Sequence, residues 1–130
     1  MDDPSCFSVH ALHPGTRRPV IVVTGEIDVA TAPEFAAEVA VAVATDPLDL
    51  VIDLTDASLL DAAGVRVIIW ARMHLTAEAR IIIRHPQPIV RKVLRITGVD
   101  LGCVIEEARW RPPREPARRR ALRVSRYAVG

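Results

Sequence analysis

Asp53-Leu54-Thr55-Asp56-Ala57-Ser58-Leu59-Leu60-Asp61-Ala62-Ala63-Gly64 is the stretch whose reading decides the fold. It follows Leu50-Val51-Ile52, a continuous apolar run of the kind found in a central strand covered on both faces. The reading that follows is a strand from Leu48 to Leu54, a polar loop from Thr55 to Leu60, and a helix from about Asp61 to His74 with Asp61 as its N-cap. Small residues at the start of that helix admit two explanations. They let a phosphate or another backbone approach the free N–H groups, or they let the helix pack closely on the sheet.

Working outward, Ser5 to Leu12 alternates loosely and ends at the turn signal His13-Pro14-Gly15-Thr16. Pro19 to Thr24 holds Val20-Ile21-Val22-Val23, so the two segments read as an antiparallel hairpin, with Gly25-Glu26-Ile27-Asp28 breaking its second strand. Thr31-Ala32-Pro33-Glu34 has the form of a capping box opening a helix, whose stripe is Phe35, Val39 and Val43 and which Asp46-Pro47 closes. Downstream, Ala79 to His85 contains Ile81-Ile82-Ile83, another buried strand. Pro86-Gln87-Pro88 opens a third helix, Gly98 sits at its end, and Val104-Ile105 forms a last short strand. The order β-β-α-β-α-β-α-β implies an α/β fold with parallel pairs and right-handed crossovers.

Length and charge add a division. The chain has 130 residues, the size of one ordinary domain. Residues 1–108 carry 9 Lys and Arg against 15 Asp and Glu, a net of −6. Residues 109–130 carry 8 Arg and one acid, Glu115, a net of +7. The organisation expected is therefore one domain over 1–108 and a basic, Arg- and Pro-rich tail over 109–130, flexible or folded into a short helix from Ala117 to Tyr127. The start, Met1-Asp2-Asp3-Pro4, lacks the order of a secretory signal, and no apolar run reaches the roughly 18 residues of a membrane span. A cytoplasmic protein without membrane insertion is the expectation. Cys6 and Cys103 read as unrelated thiols in a reducing compartment, with a redox pair as the alternative.

Motifs of catalysis are missing. There is no Gly-rich phosphate loop, no Cys-x-x-Cys and no Gly-x-Ser-x-Gly. His10, His13, His74 and His85 show no ligand spacing. Asp28, Asp53, Asp56 and Asp61 fall near strand ends, where ligands bind in sheets of this type, but no pair forces a catalytic reading. A protein that is no enzyme, with no metal and no cofactor, is expected. On the second helix, Val65, Ile68, Ile69 and Ala71 fall on one arc, expected to face the sheet. Val67, Trp70, Met73 and His74 fall largely on the other, with Arg66 and Arg72 supplying charge. Apolar residues rimmed by charge mark a partner surface, and Trp is enriched at interaction hot spots.

Four motifs in order resemble the STAS domain of anti-sigma-factor antagonists: Gly25-Glu26-Ile27-Asp28, Val51-Ile52-Asp53-Leu54, Asp61-Ala62-Ala63-Gly64 and Val93-Leu94-Arg95-Ile96-Thr97-Gly98. The resemblance runs from about Ser5 to Glu107 and implies a small mixed β-sheet with helices packed mainly on one side. It also implies partner switching. The antagonist binds an anti-sigma factor, a serine kinase of the histidine-kinase-like ATPase fold, and sigma factor is released; phosphorylation of the motif's first serine ends the binding. Here that position is Ala62, which has no hydroxyl. Ser58 and Thr55 lie nearby in the expected loop without being obvious substitutes. The partner-facing residues implied are Asp28, Asp61, Ala62, Ala63, Gly64, Arg66, Val67 and Trp70, on a monomer or weak homodimer.

Three functions follow as expectations. The first is an anti-sigma-factor antagonist without the usual phospho-switch. The second is a STAS scaffold or accessory subunit of a transport or signalling complex. The third is a binder of nucleic acid or another acidic partner through the tail, whose arginines suit phosphates. Repulsion between a polyanion and the −6 domain argues against the third.

Overall fold

The computed structural model describes residues 6–107. The tail over 109–130, with the helix expected at Ala117 to Tyr127, lies outside the described residues. The elements are β1 (Ser8–Leu12), β2 (Val20–Ile27), α1 (Ala32–Ala44), β3 (Asp49–Leu60), α2 (Ala62–His74), β4 (Arg80–Arg84), α3 (Pro88–Ile96) and β5 (Val104–Glu106), with a single 3-10 turn at Val99–Gly102 before the last strand. They form one five-stranded mixed sheet in the order β1-β2-β3-β4-β5. β1 pairs antiparallel with β2, and every later pair is parallel.

Alternation along the strands sorts side chains onto two unlike faces. Ile21, Val23, Leu50, Ile52, Leu54, Ile81 and Ile83 point to the face that the helices cover, where they meet Phe35 and Val39 of α1, Ile68 of α2, and Val90 and Leu94 of α3. Val20, Val51 and Ile82, with Val22 beside them, form a separate small cluster on the opposite face, to which, among the described residues, strands alone contribute. Burying both faces of β3 is why its centre reads as an unbroken apolar run.

Four expectations need correction. Gly25-Glu26-Ile27 does not break β2. Gly25 takes φ +89, and the register with β3 shifts between Gly25 and Glu26, so the glycine marks an irregularity within a continuing strand. The buried sequence Ile21, Val23, Gly25, Ile27 carries the period-two signal across it. Thr55 to Leu60 is not a loop either. It extends β3, because Asp56, Ala57, Leu59 and Leu60 pair in parallel with Thr24, Gly25, Glu26 and Ile27. Ser58 and Thr55 are thus exposed strand residues.

The capping box does not form. The Thr31 hydroxyl donates to the Glu26 carbonyl at 2.8 Å and accepts from the Asp28 N–H at 2.9 Å, so it is turned away from the helix it precedes. Finally, Ile69 is exposed and Val67 is buried, the reverse of the expected faces of α2. α2 packs against α1 as well as the sheet, which widens its buried arc on the Val67 side.

Candidate functional site

The site is assembled at the C-terminal ends of β2 and β3. Leu60 pairs with Ile27, and the Asp61 N–H donates to the Ile27 carbonyl at 3.0 Å, so the two motifs that follow these strands lie side by side. After β2, Asp28 closes a tight turn: its Oδ1 accepts from the N–H groups of Ala30 at 2.9 Å and Thr31 at 3.0 Å. After β3, Asp61 caps α2, its Oδ1 accepting from Ala63 at 2.9 Å and Gly64 at 3.3 Å. Both carboxylates are thus occupied with backbone donors, half-buried, and serve to shape the site.

Gly64 decides between the two explanations of the small residues. A Cβ there would collide with Leu60 Cδ1 and come within 2.6 Å of Ile27 Cγ2. The glycine lets α2 sit down on the strand ends, so close packing is its role. Ala62 is exposed at the first position of the helix, and Ala63 is half-buried behind it. The side chain at 62 therefore faces outward with no intramolecular task.

From that corner a groove of about 310 Å³ runs between α1 and α2, lined by Ala36, Ala40, Arg66, Val67 and Trp70. Its walls are almost wholly apolar, with Val67 as the buried floor. Trp70 stands 38% exposed with its ring stacked on His74, centroids 4.3 Å apart. The His74 Nδ1–H donates to the Trp70 carbonyl at 2.9 Å, which holds both rings against the helix. Ala36 and Ala40 were not anticipated as site residues. Their signal was small side chains four apart on one helix, which leave room beside a large neighbour.

Two features fall elsewhere. Arg72 is not a rim charge, since it donates to the carbonyls of Ala79 at 2.8 Å and Thr76 at 2.7 Å and ties the end of α2 to the next loop. The motif ending at Thr97 and Gly98 borders the C-terminal half of α2, in a smaller groove with Ile68, Ile69, Arg72 and Met73, away from Ala62. Among the described residues no group of three or more His, Cys, Asp or Glu could hold a metal ion. None of the described helices is long and apolar enough to cross a membrane.

Residues 11–106 match the family model described as "Mlab, STAS domain". No protein of curated function matches the chain. Among solved structures the chain is similar to an anti-sigma factor antagonist from Mycobacterium paratuberculosis, with 26% identity, a TM-score of 0.71 and coverage of 97% of this chain and 99% of that one. It is also similar to the anti-sigma factor antagonist SpoIIAA in its unphosphorylated form, with 20% identity, a TM-score of 0.63 and coverage of 92% and 96%. The phosphorylated form of SpoIIAA, from Bacillus, gives 20% identity, a TM-score of 0.57 and coverage of 92% and 99%. At that identity the two SpoIIAA structures speak for the fold alone.

Proposed function

The chain belongs to the STAS domain family, and from that premise we propose that it is an anti-sigma-factor antagonist whose binding is not switched at the usual motif position. In this reading it binds an anti-sigma factor of the serine-kinase type, built on the histidine-kinase-like ATPase fold, and frees a sigma factor in the cytoplasm. It acts by binding and catalyses nothing. The observation that carries the proposal is the pairing of an exposed Ala62 at the start of α2 with the apolar groove of Ala36, Ala40, Val67 and Trp70 one turn further on. A partner seated on both would bury Ala62, where a phosphoserine would add nearly two negative charges to a fitted contact. A methyl group takes no phosphate, so the complex persists in ATP. Arg66 rims the same groove, while Asp28, Asp61, Ala63 and Gly64 hold its corner in shape.

The test is affinity for the anti-sigma factor, measured for wild type, Ala62→Ser, Ala62→Asp and Trp70→Ala, with and without ATP. Wild type should bind equally well in both conditions. Ala62→Ser should bind in the absence of ATP and be released in its presence. Ala62→Asp should bind weakly throughout, because its charge must be desolvated. It should stay folded, since a negative charge at a helix N-terminus is favourable by about 0.3–1 kcal/mol. Trp70→Ala should lose about 2 kcal/mol of binding or more if Trp70 is an anchor. Loss of the wild-type complex on ATP addition, with a phosphate mapped to Ser58 or Thr55, would sink the proposal.

A second reading, a STAS scaffold or accessory subunit of a transport or signalling complex, is supported by Ala62, since a scaffold needs no hydroxyl there. Co-purification with a membrane transport subunit in place of an ATPase would favour it.

A further inference from the structure

Helix α2 carries apolar residues on every side. Its inner arc, Gly64, Val65, Val67, Ile68 and Ala71, is buried against the sheet and α1. Its outer arc carries Ala62, Ile69, Trp70 and Met73, all exposed, Met73 to 74%. A helix that is apolar all round is normally a buried one, so the outer arc of α2 calls for a cover. Grooves open on both of its flanks, the one of about 310 Å³ against α1 and a smaller one of about 180 Å³ against the Val99–Gly102 turn. The exposed arc is the ridge between them.

Arg66 stands in the middle of that ridge. At 100° per residue, Ile69 and Trp70 bound an arc of about 100°, and Arg66 falls near its centre beside Met73. Arg18, Arg80, Arg84 and Arg91 each hold a carboxylate, and Arg72 holds two carbonyls. Arg66 is exposed and has no such partner among the described residues. No acid occurs on α2 itself, and Ala62, one turn earlier on the same face, offers no anion. Asp28 and Asp61 are occupied with backbone N–H groups. Glu34 and Glu38 of α1 lie about 120–160° around their helix from Ala36 and Ala40, which line the groove. A surface that covers Ile69 and Trp70 together must also cover Arg66, and a guanidinium desolvated without an acceptor is strongly destabilising.

We infer that the ridge of α2 is the centre of the partner surface, and that the partner presents to Arg66 an aspartate or glutamate set among apolar side chains. The occupant is the anti-sigma factor of the proposed function, and the inference rests on that reading while naming the chemistry of the partner's contact. Charge argues for it. A second copy packed ridge to ridge would bring Arg66 against Arg66, with no acid on either α2 to separate them. An anionic bilayer would be repelled by the net −6 of residues 1–108 and would leave the two grooves unfilled. A protein surface with apolar side chains to enter the grooves and one carboxylate between them satisfies all of the exposed arc. In such a setting the ion pair is bidentate and shielded from water, so it selects the partner as well as holding it.

The test is the kinetics of binding to the anti-sigma factor, measured with the full-length chain as wild type, Arg66→Ala, Arg66→Glu and Arg17→Ala. Arg66 has no partner within the described domain, so its variants should keep the wild-type circular dichroism and melting temperature. Arg66→Ala should weaken binding about 30-fold or more, chiefly through faster dissociation. Arg66→Glu should weaken it further, and exchanging one carboxylate of the anti-sigma factor for arginine should restore its binding while weakening that of wild type. Arg17→Ala removes the same charge from the turn before β2, at the opposite end of the strands from Ala62, and should bind as wild type does. A wild-type complex indifferent to Arg66→Ala, or one that loses only association rate and only at low salt, overturns the inference and leaves the proposed function standing. An equal loss with Arg17→Ala overturns it in the same way, since net charge would then be the cause. Absence of any wild-type complex overturns both. Arg66-dependent binding to phosphatidylglycerol vesicles in place of the anti-sigma factor would make a lipid surface the occupant and likewise overturn both.

Discussion

Position 62 offers an outward-facing methyl group where its neighbours on both sides are committed to structure. Asp61 is bound to two N–H groups, and Gly64 is pressed against Leu60 and Ile27. Ala62 and Gly64, two of the three small residues of this motif, thus have different reasons to be small. Ala62 is free to vary without cost to the fold, while Gly64 is confined by packing. Gly64→Ala should destabilise the domain by about 1–3 kcal/mol, the usual range for an overpacked contact, because strand ends and helix must move apart. Urea denaturation of the two proteins measures it. A change below about 0.5 kcal/mol would show that the corner is looser than its geometry states.

Strand β3 is the element that differs most from its sequence reading, running from Asp49 to Leu60 rather than stopping at Leu54. Thr55, Asp56 and Ser58 are exposed and polar, so the stretch looks like a loop from its composition. Leu54, Ala57 and Leu60 are nonetheless buried, and β2 supplies hydrogen-bonding partners for the extension. The start of the same strand carries an ion pair, Asp49 with Arg80 on β4, joined through both carboxylate oxygens at 2.9 and 3.0 Å. Hydrogen bonding from Arg80 is the main cause that holds the Asp49 carboxyl below its ordinary 3.8. The folded state therefore binds this proton less readily than the unfolded chain. The stabilisation is full above about pH 4–5 and is lost as pH falls through and below 3.8. Asp49→Asn should flatten the acid limb of the stability curve between about pH 5 and 3 relative to wild type, which thermal melts across that range would measure. An unchanged limb would show that the pair is screened by solvent.

Over the whole molecule, the strand order separates what the sequence leaves free to meet. Cys6 precedes β1 and Cys103 precedes β5, the two edge strands of the sheet, which four strand spacings hold about 19 Å apart. A disulfide needs Cα atoms within about 7 Å, so the redox pair is excluded within one folded chain. The two thiols also differ in reactivity. Cys6 is exposed, whereas burial pushes the Cys103 thiol up to about 11. Iodoacetamide at pH 8 followed by mass spectrometry should label Cys6 rapidly and Cys103 only slowly, and equal labelling would contradict the burial. Local signals were enough to establish the order of elements, the Asp61 cap and the turn glycine at Gly98, because capping, turn chemistry and periodicity act within a few residues. The four motifs were likewise legible as a pattern along the chain. What only the tertiary structure decided were the facts that rest on contacts between distant segments. Gly25 passes through a strand because β3 pairs beyond it, and Val67 is buried because α1 lies beside α2. The Thr31 hydroxyl turns to Glu26 and Asp28 because that turn offers it partners, and Val20, Val51 and Ile82 gather into one cluster because β2, β3 and β4 align in register.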